Sequence, residues 1–205
     1  MRYFISIISF LLLLSACTTD VLPENEKLPI LGFRDIDSTG DTIYHSIPDF
    51  SFIDQDSQEV TNKTFEGKVY ISDFFFIHCP SICPKVKAQM MRIYDKYEDN
   101  DKVILLSHSI DTKNDTIPAL KIYANKLEAK TEKWHFVTGE HDLIYSLADE
   151  YFVAALVNKD APGGFDHSGR IILVDKKRNV RSFAEGTDPE SVTKFMLDID
   201  KLLAE

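Results

Sequence analysis

Cysteine is scarce in this sequence: three occur in 205 residues, beside a single tryptophan. There is no glycine-rich phosphate loop, no Gly-x-Ser-x-Gly elbow and no His-Glu-x-x-His helix. Phosphate cradling, serine-hydrolase chemistry and zinc proteolysis therefore lose their usual carriers. Basic residues are outnumbered, 23 Lys+Arg against 33 Asp+Glu. That balance excludes nucleic acid binding through a positive surface. Internal repeats and low-complexity segments are absent. The apolar run Tyr3–Leu14 is too short to cross a bilayer as a helix.

That run instead suits the core of a signal peptide over residues 1–16, opened by Arg2. It closes on Leu14-Ser15-Ala16-Cys17, which reads as a bacterial lipobox: small residues, then a cysteine that receives lipid and becomes the new N-terminus. More than one acyl chain on Cys17 would hold the protein on a membrane without a spanning helix. The expected location is the bacterial cell envelope, with the folded part in the periplasm or otherwise outside the cytoplasm. Removing residues 1–16 takes away one charge, Arg2, and leaves 22 Lys+Arg against 33 Asp+Glu. Residues 17–45 carry Pro23, Pro29 and many charges without sustained periodicity, and read as a lipidated tether. Residues 46–205 read as one domain with its own core.

Strand and helix alternate in that domain. Lys68–Ile77 is apolar almost throughout, as a central strand covered on both faces would be. Pro84 suits a first helical position, and Val86, Met90, Ile93 and Tyr97 recur at helical spacing. A strand follows at Val103–Ser107, then a helix capped by Asn114 or Asp115 with Leu120, Tyr123 and Leu127 on one side. Trp134–Thr138 is a short strand, and Leu143, Ile144, Leu147 and Tyr151 mark another helix. Arg170–Val174 and Val180–Phe183 flank a turn at Asp175–Asn179, and Asp188–Leu203 is the clearest helix. Phe50–Ile53 and Gln58–Thr61 predict an N-terminal β-hairpin. The fold expected is α/β and thioredoxin-like: a central mixed β-sheet flanked by helices, with cysteines where the first central strand feeds its helix.

Cys79-Pro80-Ser81-Ile82-Cys83-Pro84 carries the chemistry. Residues four apart on a helical turn lie about 5–6 Å apart at Cβ, and a disulfide needs Cα atoms about 4.4–6.8 Å apart. The spacing therefore allows both a bridge and chelation of a thiophilic metal. A helix N-terminus lowers a nearby thiol pKa, and Lys85 and Lys87 add positive charge. Outside the cytoplasm an unprotected Cys79/Cys83 pair tends to the disulfide, so a function needing free thiols requires a reductant or a bound metal. A third donor is at hand in Asp166-His167-Ser168, after the flexible pair Gly163-Gly164 and before strand Arg170–Val174. Two thiolates and one imidazole suit Cu(I), or Cu(II) with a weak fourth ligand. His78 reads as a neighbour directed away from Cys79. His45, His108, His135 and His141 read as solvated or packing residues, Met90 as core, and Asp111 and Asp115 as loop and cap residues.

Over about residues 46–203 the chain resembles the Sco/SenC family of copper-binding, thioredoxin-fold proteins. The resemblance rests on Phe76-Ile77-His78-Cys79-Pro80-Ser81-Ile82-Cys83-Pro84 and Asp166-His167-Ser168. Ser109-Ile110-Asp111, Asp115-Thr116, Trp134, Val137-Thr138-Gly139 and Ile172-Leu173-Val174-Asp175 add to it. It implies copper bound by Cys79, Cys83 and His167. It also implies copper delivery to, or thiol reduction at, the binuclear copper site of a respiratory cytochrome c oxidase. The expected agent is a monomer. Ser81 stands where the family usually has Asp, which takes one negative charge from the loop. An alternative role is a thiol–disulfide oxidoreductase, with Cys79 attacking and Cys83 resolving. Against that role, the thioredoxin Cys-x-x-Cys is absent, and no X-Pro directly precedes Arg170–Val174.

Overall fold

The computed structural model describes residues 27–205, so the expected signal peptide and the lipobox reading at Cys17 lie outside the described residues. In chain order the elements are β1 (Arg34–Ile36), β2 (Thr42–Tyr44), β3 (Ser51–Asp54), β4 (Glu59–Thr61), β5 (Val69–Phe75), α1 (Cys83–Tyr97), β6 (Val103–Ser109) and α2 (Ile117–Lys126). They continue as β7 (Trp134–Thr138), α3 (His141–Glu150), β8 (Ala155–Val157), β9 (Phe165–His167), β10 (Arg170–Val174), β11 (Val180–Glu185) and α4 (Pro189–Ala204).

A seven-stranded mixed sheet, in the order β11-β10-β5-β6-β7-β3-β4, organises the domain. β5, β6 and β7 run parallel, and the strands on either side of this trio are antiparallel to it. Every residue of β5 and β6 is buried, which is why Val69–Phe75 is mostly apolar and shows no alternation. Helices cover the sheet. On α1, Val86, Met90, Ile93 and Tyr97 face inward, and on α4, Val192, Phe195, Ile199 and Leu202 do the same. Fully burying a side chain such as Ile93 or Ile199 contributes roughly 1.5–3 kcal/mol. The architecture is the thioredoxin-like one expected, with the hairpin β3–β4 at the sheet edge.

Several local expectations shift. Cys83 itself is the first residue of α1, which puts Pro84 second. The cap of α2 is Thr116, which makes no side-chain cap bond. Asp115 is occupied elsewhere: it accepts the Ile77 N–H at 3.0 Å and the Ser109 hydroxyl at 2.6 Å. It thereby ties the chain just before Cys79 to the end of β6, a contact across 38 residues that local pattern cannot show. From residue 27 onward the segment read as tether is fastened to the domain. Leu31 N–H donates to the Val180 carbonyl, and Arg181 donates to the carbonyls of Leu28 and Pro29. The structure also holds two short hairpins, β1–β2 and β8–β9, that the sequence analysis does not expect.

Candidate metal centre

β5 ends at Phe75, and the next turn delivers Cys79, whose N–H donates to the Phe76 carbonyl at 3.3 Å. α1 then begins on Cys83. Eighty-four residues later β9 brings His167 to the same place. It does so because Ala155 of β8 pairs with His167, and Ser168 N–H donates to the Ala154 carbonyl at 3.0 Å. The Sγ atoms of Cys79 and Cys83 and a ring nitrogen of His167 lie within 4.8 Å of one another. Among the described residues this is the one such cluster of His, Cys and acidic groups. His167 Nε2 is 3.4 Å from Cys83 Sγ, and Cys79 Sγ is 3.6 Å from the Ser81 hydroxyl. Both thiols are free, and all three residues are buried.

The wall of the site is aromatic. The Phe76 ring stands edge-on to His167 with centroids 5.7 Å apart, and Phe165 packs on Phe76 at 4.9 Å. Gly163, at φ 83°, permits this closure: a Cβ there would lie 2.7 Å from the Phe76 ring and 3.2 Å from Pro80.

The two thiols differ in acidity. Burial opposes ionisation of Cys79, but hydrogen bonds from the Cys83 thiol, the Cys83 and Ser81 backbone N–H groups and the Ser81 hydroxyl outweigh it. Cys79 is thereby held below the usual thiol range. Burial pushes Cys83 well above that range, and its place as donor to Cys79 adds to the effect. Burial also lowers the His167 pKa, which keeps the imidazole neutral with a lone pair to offer. Its Nδ1 is buried without a hydrogen-bond partner. Two thiol sulfurs and a neutral imidazole, mutually close and shielded from water, fit a soft, low-coordinate metal ion.

His78 is exposed and outside the cluster. Lys87 turns its ammonium to the Tyr123 ring, 5.7 Å from the centroid. Of the remaining histidines, His108 is fully buried and stacks on Phe74 at 4.6 Å. His135 pairs with Asp54 at 2.9 Å, and His45 meets the Glu150 carbonyl at 2.9 Å. Met90 is core, and Asp111 accepts from Asn114 within its loop.

Sequence reasoning passed over Asp73. This β5 carboxyl accepts from Ser107, and it lines a small internal cavity together with Cys83 and His167. Burial raises its pKa to about 7, against the opposing Ser107 bond. The available signal was a lone charged residue inside an otherwise apolar strand.

The SCO1/SenC family model matches residues 39–203 of this chain. The "SCO1 protein homolog" of Bacillus subtilis is 32% identical over 161 residues, covering 78% of this chain and 83% of that protein. Among solved structures, a SCO1/SenC family lipoprotein from Bacillus anthracis superposes with a TM-score of 0.69 at 27% identity, covering 78% of this chain and 95% of that one. Arabidopsis thaliana ScoI, solved with copper bound, superposes with a TM-score of 0.63 at 29% identity, covering 75% and 98%.

Proposed function

The chain belongs to the SCO1/SenC family, and on that premise we propose that it is a copper metallochaperone. In this reading Cys79, Cys83 and His167 hold one copper ion, and the cargo passes by ligand exchange to the binuclear copper site of a respiratory cytochrome c oxidase. The observation that carries it is the convergence of two sulfurs and an imidazole nitrogen within 4.8 Å. Soft thiolates retain Cu(I), and the imidazole extends the site toward Cu(II). A three-donor site leaves an approach for an incoming ligand. A relative's structure was solved with copper, which supports the choice of metal. The monomeric domain works outside the cytoplasm, tethered through lipid on Cys17.

Metal analysis of the protein purified anaerobically from its own membrane tests this. One copper per chain is expected, and none in Cys79→Ala/Cys83→Ala. Stoichiometric copper in that double variant would falsify the reading.

The unequal acidity of the two thiols favours a second role, thiol–disulfide oxidoreductase. The Cys79 thiolate would attack an acceptor disulfide, forming a mixed disulfide as the acceptor S–S bond breaks. Cys83 would then displace the acceptor, leaving a Cys79–Cys83 disulfide and a reduced acceptor, two electrons having passed to it. An external thiol donor resets the pair. A relative's structure was reported under a "disulfide switch" in a member of the Sco family of cytochrome c oxidase assembly proteins. Copper-free turnover of a protein disulfide in which His167 is dispensable distinguishes this role.

A further inference from the structure

The fold gathers positive charge at the end of the sheet remote from the cysteines. β10 starts beside His167 and ends at Val174, so the Asp175–Asn179 turn lies about 17 Å of strand away from the metal centre. A surface cavity of about 490 Å³ opens there, lined by Lys27, Arg34, Lys176, Lys177 and Arg181 against only two acidic residues, Asp175 and Glu205. Both acidic groups are paired with Arg181, at 3.0 and 2.7 Å. Lys27, Arg34, Lys176 and Lys177 are exposed, and no carboxylate pairs with them among the described residues.

The hairpin β1–β2 stands beside this cavity with every strand residue exposed. Arg34 pairs with Tyr44 and Ile36 with Thr42, so strand alternation puts Arg34, Ile36 and Tyr44 on one face. The Arg34 guanidinium lies 5.5 Å from the Tyr44 ring. Ile36 is 75% exposed and Tyr44 39%. The acidic Asp35 alternates to the opposite face, and Asp37 is held in the turn by Thr39 and Asp41.

We propose that this surface docks on an anionic phospholipid bilayer. The basic rim of the cavity meets headgroup phosphates, and Ile36 and Tyr44 enter the interface. Charge complementarity favours it: the unpaired cations of the rim attract headgroup phosphates, against the repulsion from the net charge of −11 that remains once residues 1–16 are removed. Chain geometry favours it too: Lys27 is only ten positions along the chain from Cys17, a reach of at most about 35 Å. This second argument rests on the lipidation of Cys17. Docking in this pose directs the metal centre away from the bilayer, toward a partner's extramembrane part.

The test uses the full lipidated chain carrying Ile36→Trp, in vesicles of phosphatidylcholine or phosphatidylglycerol with brominated acyl chains. Trp134 is buried and serves as an unquenched background. Quenching of the new tryptophan is expected in phosphatidylglycerol and not in phosphatidylcholine. Lys176→Glu/Lys177→Glu should weaken it by roughly tenfold or more, with copper content unchanged. Equal quenching in both lipids, or quenching indifferent to the charge reversal, overturns the proposal. Flotation with phosphatidylcholine vesicles reports the anchor separately. Should the chain fail to float there, the Cys17 reading falls. Docking is then read as salt-sensitive flotation with phosphatidylglycerol, and its absence overturns the docking as well.

Discussion

Cys83 Sγ and His167 Nε2 stand 3.4 Å apart, although the two residues are 84 positions apart in the chain. The imidazole is buried and neutral, so it offers its nitrogen without first releasing a proton. His167→Ala should therefore keep Cu(I), which two thiolates hold, while Cu(II) binding is lost. Copper titration followed by electron paramagnetic resonance and by a Cu(I) competition dye reads the two valences separately. Equal loss of both would show that the imidazole is needed for any copper.

Thiol reactivity should divide sharply between the two cysteines. Hydrogen bonds hold Cys79 below the usual thiol range, while burial lifts Cys83 above it. In the reduced, metal-free protein near neutral pH, iodoacetamide should label Cys79 first, with Cys83 at least tenfold slower. Mass spectrometry of timed digests gives the order. Ser81→Ala removes one bond to Cys79 and should slow its labelling modestly.

Asp73 makes stability depend on pH in a definite direction. Its carboxyl titrates at 3.8 in an unfolded chain and near 7 when folded, because burial disfavours the charge. A raised folded-state pKa adds stability that is complete below pH 3.8 and is lost as pH rises through 7. Asp73→Asn keeps an acceptor for Ser107 and cannot ionise. Thermal melts of the reduced, metal-free variant should exceed wild type above pH 7 and converge with it near pH 4. A constant offset across that range would show that the carboxyl does not titrate within it.

Closure of the site depends on Gly163. Alanine there must adopt a positive φ and place its Cβ 2.7 Å from the Phe76 ring. Strain of about 1–3 kcal/mol is expected from the backbone alone. Gly163→Ala should lower the melting temperature and weaken copper binding together, through displacement of Phe76 from its edge-on contact with His167. Gly164→Ala is the control: φ is also positive, but a Cβ meets nothing within 4 Å, so copper affinity should change less.

Much of the sheet was legible because period and composition are local. Val69–Phe75, Trp134–Thr138 and Arg170–Val174 are read from runs of apolar residues, and α4 from Val192, Phe195, Ile199 and Leu202 at helical spacing. Asp115 was misassigned because a carboxylate before a helix is ordinarily a cap. Only the fold brings the Ile77 N–H and the Ser109 hydroxyl to it. Asp73 was passed over because a single charge within an apolar run leaves the strand pattern intact, and only the fold shows its carboxyl buried against Ser107. The hairpin β1–β2 was missed for a related reason: its three-residue strands stay exposed and show no inward face.

The order of residues alone determined which atoms are soft donors, where the central strand hands over to its helix, and that Cys79 and Cys83 stay within a short reach of each other whatever the remaining chain does, since only four positions of chain separate them. Tertiary structure decided that the donor on β9 arrives at that turn, that one thiol is acidic and its partner is not, and that scattered lysines meet at the far end of an acidic molecule. Those outcomes depend on burial and on contacts across long stretches of chain, and desolvation and through-space charge have no counterpart in sequence spacing.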